Sequence, residues 1–254
     1  MQTRKKKKWS KRIAGYFSKV LLLAFGILSV LLVQVTYRTY TTEQLAIELS
    51  NARKMSEEPE DWSHGMLEKN PDYKGWLKVY GTGVDNPVVQ GETNDTYLRT
   101  DFYGEPNKAG TLFLDETTDT SKPGNRIIYG HKMKDRTMFG QFDSYYRDKD
   151  FWKDHRAVLW EDEQGKHYYQ LFAAMVVPGR ADTKGFVNIQ AWNNEISEEE
   201  TAEMLKTVRA KACIYQDEKI AGPEPTDHYI FLVTCDYTRK DGRLVMVGRE
   251  IAAE

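Results

Sequence analysis

From Trp76 onward the chain is a series of short β segments separated by turn residues, and this punctuation leaves few folds open to it. Trp76-Leu77-Lys78-Val79-Tyr80 is a strand candidate closed by Gly81 and Gly83. Pro87-Val88-Val89, Thr111-Leu112-Phe113-Leu114 and Arg126-Ile127-Ile128-Tyr129 are further segments rich in β-branched and aromatic side chains. Val158–Trp160 and His167–Val177 flank Asp162–Lys166, where Gly165 can supply a positive-φ turn, so a hairpin is expected there. Tyr229–Thr234 and Leu244–Ile251 end the series. One helix interrupts it, over Glu198–Lys211: Ser197 and Glu200 make a capping box, and Met204, Leu205 and Val208 make an apolar stripe. Many short strands with turn chemistry between them predict a mainly β, α+β domain, a closed antiparallel or mixed barrel decorated by helices.

The first 38 residues do not fit that domain. They hold nine basic residues and no acid, and from Val20 to Tyr37 run 18 uncharged residues. As a helix this stretch is about 27 Å long, close to the ~30 Å hydrocarbon core of a bilayer. Lys19 can snorkel at one end, with Tyr16 and Tyr37 near the two interfaces. Positive charge before the run predicts a cytoplasmic amino terminus and an exported remainder. The rival is a cleaved secretory signal, whose apolar core is shorter and ends in a small-x-small site; Gln34-Val35-Thr36-Tyr37 offers none. The expected organisation is a cytoplasmic basic segment 1–19, a transmembrane anchor 20–37, a helix and linker over 38–69, and the main domain 70–254. Thr41 and Gln44 cap the expected helix, with Leu45, Leu49 and Ala52 on one face, and the acidic stretch Glu57–Asp61 ends it.

Residues 39–254 hold 27 basic and 38 acidic groups, a formal charge of −11, so the domain is not built to bind nucleic acid. No Gly-rich phosphate loop and no His-Glu-x-x-His pair is present, and no two of His64, His131, His155, His167 and His228 are spaced to hold a metal from one helix. Neither metal nor cofactor is expected. Two cysteines are too few for a disulfide-stapled scaffold or a thiolate zinc site. What remains is cysteine with histidine, the material of a thiol nucleophile. Cys235 follows the apolar run Tyr229–Thr234, at the position where a buried strand meets solvent; a structural thiol, or half of a Cys213–Cys235 disulfide, is the alternative. His131, in Tyr129-Gly130-His131, also follows an apolar strand and precedes the polar loop Lys132–Thr137; a packed or solvated histidine is the alternative. Arg243 follows Asp241-Gly242 and opens the last strand, within reach of the thiol if the two strands are neighbours, or else it is a surface ion-pair partner.

As a set, Thr234-Cys235, Gly242-Arg243 and Tyr129-Gly130-His131 resemble the signature of sortases, the membrane-anchored cysteine transpeptidases of Gram-positive bacteria. Asn86-Pro87-Val88-Val89-Gln90-Gly91, Tyr97-Leu98, Lys108–Asp115, Thr137-Met138-Phe139-Gly140 and the helix before the Cys strand are similar to class B in particular. The resemblance covers roughly residues 70–254. It implies an eight-stranded β-barrel with N-terminal helices and an inserted helix before the Cys strand. It further implies that Cys235 attacks the Thr carbonyl of an Asn-Pro-x-Thr-like sorting signal to give a thioester. His131 would serve as acid and then base, while Arg243 and the amide of Asp236 would stabilise the oxyanion. Substrate contacts carried over by the resemblance are Asn94 and Leu98, with Thr234 and Asp236 flanking the nucleophile and Phe186 and Val187 in a groove wall over Pro178–Gln190. The implied partners are secreted proteins bearing the signal, and an acceptor amine on a lipid II-type peptidoglycan precursor or a pilin. A secreted cysteine hydrolase with the same Cys235–His131 pair and a non-catalytic disulfide-bonded surface domain are the competing readings.

Overall fold

The computed structural model describes residues 19–34, 36, 65–216, 224, 226–236, 238 and 240–251. The chain divides into two compact units, Met1–Leu45 and Ala46–Glu254. In the first, residues 19–34 form helix α1, whose apolar side chains are exposed, Val20, Leu22 and Phe25 at 65%, 68% and 69%. Ser29 returns its hydroxyl to the Phe25 carbonyl at 2.8 Å, so the polar group is satisfied along the helix itself. Among the described residues no helix is long and apolar enough to cross a membrane. The span expected over 20–37 lies partly outside the described residues, which leave out Val35 and Tyr37. The helix expected near Thr41–Ala52 and the spacer Glu57–Asp61 also lie outside the described residues.

The described part of the second unit holds a short helix α2 (65–69) followed by nine strands. They are β1 (Tyr73–Val79), β2 (Asp85–Val89), β3 (Leu112–Leu114), β4 (Arg126–Tyr129), β5 (Ala157–Asp162), β6 (Gly165–Pro178), β7 (Ala212–Tyr215), β8 (Tyr229–Asp236) and β9 (Gly242–Ile251). Helices α3 (Asp143–Arg147) and α4 (Lys149–Asp154) lie between β4 and β5, and α5 (Glu198–Lys211) between β6 and β7. The sheet runs β5-β1-β2-β3-β4-β8-β9-β6 and closes on itself through the β5–β6 pairing, an eight-stranded barrel, with β7 as a ninth strand on β6. The eight-stranded barrel and the inserted helix are those expected. The capping box of α5 is present in full, and Gly165 takes φ 126° in the β5–β6 turn. Among the elements not anticipated are β7, which continues α5 directly, and the two short helices α3 and α4.

Strand β8 explains the layout. Its run Tyr229-Ile230-Phe231-Leu232-Val233 is buried on both faces, which is why its sequence is apolar without alternation. Ile230 and Leu232 face the barrel interior, with Leu77, Val88, Leu112, Ile128, Leu244 and Met246. Tyr229, Phe231 and Val233 face outward, into a second core with Val177, Val245 and Val247, covered by Met204 and Val208 of α5. Trp192 lies 5.5 Å from the Phe231 ring, centroid to centroid, on that covered side. A register shift between Leu171 and Ala173 lets β6 serve both layers, Leu171 joining the interior core and Phe172 the outer one.

Candidate active site

The outward face of β8 ends in Cys235. The cover over that face stops short of the strand's end, so the thiol is only half-buried at the barrel's rim. Its register neighbours are set by pairing on both sides. Across β9, Cys235 is opposite Arg243, and Arg243 is in turn opposite Val177 of β6. On the other side β4 runs parallel to β8 with Tyr129 opposite Val233. The Gly130 N–H donates to the Val233 carbonyl at 3.1 Å, so the ladder continues past Tyr129. Two residues further along both strands stand His131 and Cys235. Neighbouring strands lie about 4.8 Å apart and side chains alternate faces every residue. Cys235 and Arg243 are thus opposite one another on β8 and β9, on the face shared by Val233 and Val245, and His131 stands at the same end of the barrel, two residues past the Tyr129–Val233 pair.

The half-buried His131 places Nε2 2.7 Å from the Leu98 carbonyl. A carbonyl can only accept, so Nε2 carries the proton and Nδ1 is the nitrogen left to exchange one. The loop after His131 is tied down by a Lys132–Asp143 ion pair at 2.5 Å and by the Phe139 N–H, which donates to the His131 carbonyl at 3.0 Å. Arg243 donates to the Gly242 carbonyl at 3.1 Å. Its guanidinium lies over Gly179, where an added Cβ would come within 3.1 Å of Cζ. Cys213 and Cys235 form no disulfide with each other; the Cys213 thiol donates to the Ala174 carbonyl at 3.1 Å. That removes the disulfide-bonded surface domain as a reading.

The remaining expected contacts are placed differently from one another. Leu98 is beside the site, holding the imidazole by its carbonyl. Asn94 is half-buried and held at both ends of its amide: Nδ2 donates to Asp115 at 3.0 Å, and its Oδ1 accepts from the Glu116 N–H at 2.9 Å. Thr234 alternates to the other face and is 3% exposed, its hydroxyl without a hydrogen-bond partner among the described residues, so only its backbone can meet a ligand. Val187 is committed to the outer core at 7% exposure, which leaves Phe186 as the member of that pair with accessible surface. Asp236 ends β8 opposite Gly242, and its side chain lies outside the described residues.

Asp115 is the residue whose importance sequence reasoning missed, although it ended a stretch that carried the family resemblance. It follows β3 and is fully buried. Its Oδ2 accepts from Asn94, Tyr129 and Gln190 at 3.0, 3.0 and 2.9 Å. Its Oδ1 accepts from the Thr117 N–H at 3.0 Å and the Thr117 hydroxyl at 2.6 Å. Burial would raise this carboxyl, but the bonds from Thr117, Gln190 and Asn94 more than offset it and hold Asp115 below the usual carboxylate range. Burial, reinforced by the Asp115 charge, raises Tyr129 far above an ordinary phenol, so it stays a neutral donor. An ionisable residue closing an apolar strand was the available signal.

No three His, Cys, Asp or Glu side chains among the described residues are grouped to hold a metal ion. Comparison with known proteins agrees with this geometry. Residues 77–251 match the Sortase domain family. Sortase B of Staphylococcus aureus (strain NCTC 8325 / PS 47) is 30% identical over 190 residues, 73% of each chain. Sortase B of Listeria monocytogenes serovar 1/2a is 33% identical over 184 residues, 71% of this chain and 70% of that one. The solved Staphylococcus aureus sortase B–substrate complex superposes with a TM-score of 0.68 at 27% identity, covering 85% of this chain and 95% of that one. The chain therefore belongs to the sortase family, in its class B, and is a cysteine transpeptidase.

Proposed function

We propose that the chain cleaves an Asn-Pro-x-Thr-like sorting signal at its Thr and transfers the acyl group to an amine at the cell surface. The single observation that supports this reading is the half-buried Cys235 opposite Arg243 at the barrel end to which β4 also leads, His131 following that strand. In the first half-reaction His131 Nδ1 takes the thiol proton as the Cys235 sulfur bonds to the Thr carbonyl carbon, and gives that proton to the departing amine as the peptide C–N bond breaks. In the second, an incoming amine attacks the thioester, the C–S bond breaks, and His131 takes the proton released by the amine. Arg243 directs its donors at the oxygen that gains charge in each tetrahedral intermediate, a role that can be worth about 3 kcal/mol. The Asp236 amide is a second donor of the kind that follows a nucleophile. Phe186 lines the groove, and the solved sortase B–substrate complex of Staphylococcus aureus supports a substrate site on this fold.

The acceptor we infer is an amine of a lipid II-type peptidoglycan precursor or of a pilin, and the donor a secreted protein bearing the signal. The same reading puts the basic segment 1–19 on the cytoplasmic side, the apolar stretch 20–37 at the membrane and the catalytic unit outside. The exposed apolar surface of α1 and the charge imbalance before it support this placement. Tethering at that surface raises the effective concentration of both substrates.

The test is mass spectrometry of the full-length chain with Asn-Pro-x-Thr and Leu-Pro-x-Thr peptides, with and without added amines. A covalent adduct on Cys235 and an amine-linked product are expected, both absent in Cys235→Ala and His131→Ala. Release of free acid alone, whatever amine is supplied, would make the chain a hydrolase and end the transfer reading.

A further inference from the structure

The acyl-transfer steps use Cys235, His131 and Arg243 and leave the buried carboxylate of Asp115 without a task. Its two oxygens are divided. Oδ1 serves its own turn through Thr117. Oδ2 gathers three donors from three distant stretches: Asn94 after β2, Tyr129 at the end of β4, and Gln190 in the short helix Ile189–Trp192. Tyr129 stands two residues before His131 and opposite Val233, in the same row pattern that sets the thiol. Gln190 closes the segment that follows β6 and borders the groove. That segment is stapled to the same turn again: Asn193 Nδ2 donates to the Thr117 and Thr118 hydroxyls at 3.0 Å each, and Asn194 to the Thr117 carbonyl at 2.8 Å.

We propose that Asp115 is a positioning residue for the transfer reaction, one carboxylate oxygen fixing the end of β4, Asn94 and the groove wall relative to one another. A buried anion suits this task better than a neutral acceptor. Three N–H or O–H donors can converge on one carboxylate oxygen, each charge-assisted bond being stronger than a neutral one. A carboxamide in the same place must present N–H on one side, either to the three donors at Oδ2 or to the Thr117 N–H at Oδ1. Reversing Asn94 to accept instead would cost its bond from the Glu116 N–H. The proposal rests on the reading of Cys235 as the acylated thiol. It adds that the groove and the acid–base residue are set together through Asp115.

The experiment compares the full-length wild type with Asp115→Asn, Gln190→Glu and the double variant, measuring acylation by an Asn-Pro-x-Thr peptide and alkylation of Cys235 by iodoacetamide. Asp115→Asn should lower kcat/KM for the peptide by about tenfold to hundredfold, the loss of charge-assisted bonds in a buried site. Gln190→Glu sets a second carboxylate against Asp115 and should lower it similarly. In the double variant the carboxamide introduced at position 115 can donate its N–H to the carboxylate introduced at position 190, so kcat/KM should rise above both single variants. Alkylation, which needs no groove, should change less than about threefold in all of them. Gln190 is exposed, so Gln190→Glu and Gln190→Ala remain informative even if Asp115→Asn folds poorly. Asp115→Asn with unaltered peptide kinetics, or a double variant no better than the worse single, would overturn the proposal while leaving the transpeptidase intact. Alkylation falling in step with peptide turnover would also overturn it, because the defect would then be in the fold. A wild type that forms no adduct with any peptide would instead remove the reading of Cys235, and this proposal with it.

Discussion

Gly130→Ala is the substitution that most directly tests whether the catalytic row depends on strand position. Gly130 lies between Tyr129 and His131 and continues the β4–β8 ladder through its N–H. A Cβ there would stand 2.5 Å from Leu112 Cδ2 and 2.8 and 2.9 Å from two Phe139 ring carbons. Carbon atoms pack at about 3.5–4.0 Å, so something must move by roughly 1 Å. The interior does not yield easily: Leu112 and Phe139 are both fully buried, and the Phe139 ring is stacked on Phe142 at 4.4 Å. The end of β4 must then lift, carrying His131 with it. Overpacking of this kind costs about 1–3 kcal/mol in stability. A displacement of about 1 Å in a catalytic group can cost about 100-fold in rate. The assay is kcat/KM for acyl transfer beside thermal unfolding of the same preparation. The expected result is a fall of about 100-fold in a protein that remains folded at the assay temperature. Adding Leu112→Ala should restore much of the activity while removing a further ~2–5 kcal/mol of stability, because it opens the space the new methyl needs. Normal turnover in Gly130→Ala with lowered stability would show that the core gives way instead of the strand, and the reasoning from register would fail.

Arg243→Lys should lower kcat by about 100-fold without a matching loss of thermal stability, since an ammonium cannot reproduce two parallel donors; steady-state kinetics with the sorting peptide check this. Ser197→Ala removes a capping box whose Glu200 N–H and Ser197 N–H bonds are 3.2 and 2.9 Å, and should cost about 1 kcal/mol in denaturant unfolding with kcat unchanged. The carboxylates of Asp162 and Glu250, 3.5 and 2.8 Å from its two ring nitrogens, push His167 up from 6.5 to about 9. Its contribution to stability is complete below the unfolded value near 6.5 and is lost as pH climbs through about 9. Burial would raise Glu250, but its bonds to His167 and His228 win and lower it from 4.5 to about 2, so its contribution is lost as pH falls through that range. Unfolding free energy should therefore be flat between roughly pH 5 and 6.5, and His167→Gln should abolish the decline on the alkaline side.

Which parts of this were legible in the sequence follows from how local their causes are. Strand β4 and helix α5 appear with the bounds read from Arg126–Tyr129 and Glu198–Lys211, because β-branched clustering and a capping box are local signals. Strand β1 begins three residues earlier than expected, at Tyr73, since its start is decided by pairing with β2 and not by its own residues. Strand β7 was unreadable: Ala212–Tyr215 is four residues long and exists by pairing with β6 across Ala173–Met175. At the site, Cys235, His131 and Arg243 were visible as polar groups at strand ends. Their common face became evident only once the parallel β4–β8 register was known. Asn94 and Thr234, offered as ligand contacts, have their side chains engaged or buried, and the partners that decide this, Asp115 and the barrel interior, lie far away in sequence.

The parallel pairing of β4 with β8 is what permits the chemistry. Strands running the same way end at the same rim, so His131, two residues past the end of β4, and Cys235, near the end of β8, are brought to that rim without a long loop to carry either. Had β4 been antiparallel to β8, the residue following Tyr129 would lie at the opposite pole, near His228 where β8 begins. Strand β9 is antiparallel to β8, and for that reason it is its first residues, Gly242 and Arg243, that reach the rim. One strand is thus flanked by a parallel neighbour that delivers an imidazole from its end and an antiparallel neighbour that delivers a guanidinium from its start. His131 and Cys235 are separated by more than a hundred residues of chain, so their encounter waits on long-range pairing, whose loop-closure entropy must be met before any local contact repays it. The site should consequently appear late in folding, together with β4–β8 docking. In a refolding time course, recovery of peptide acylation should coincide with amide protection of Ile127 and Phe231 and lag that of α5. Acylation competence preceding protection of β4 would contradict this order.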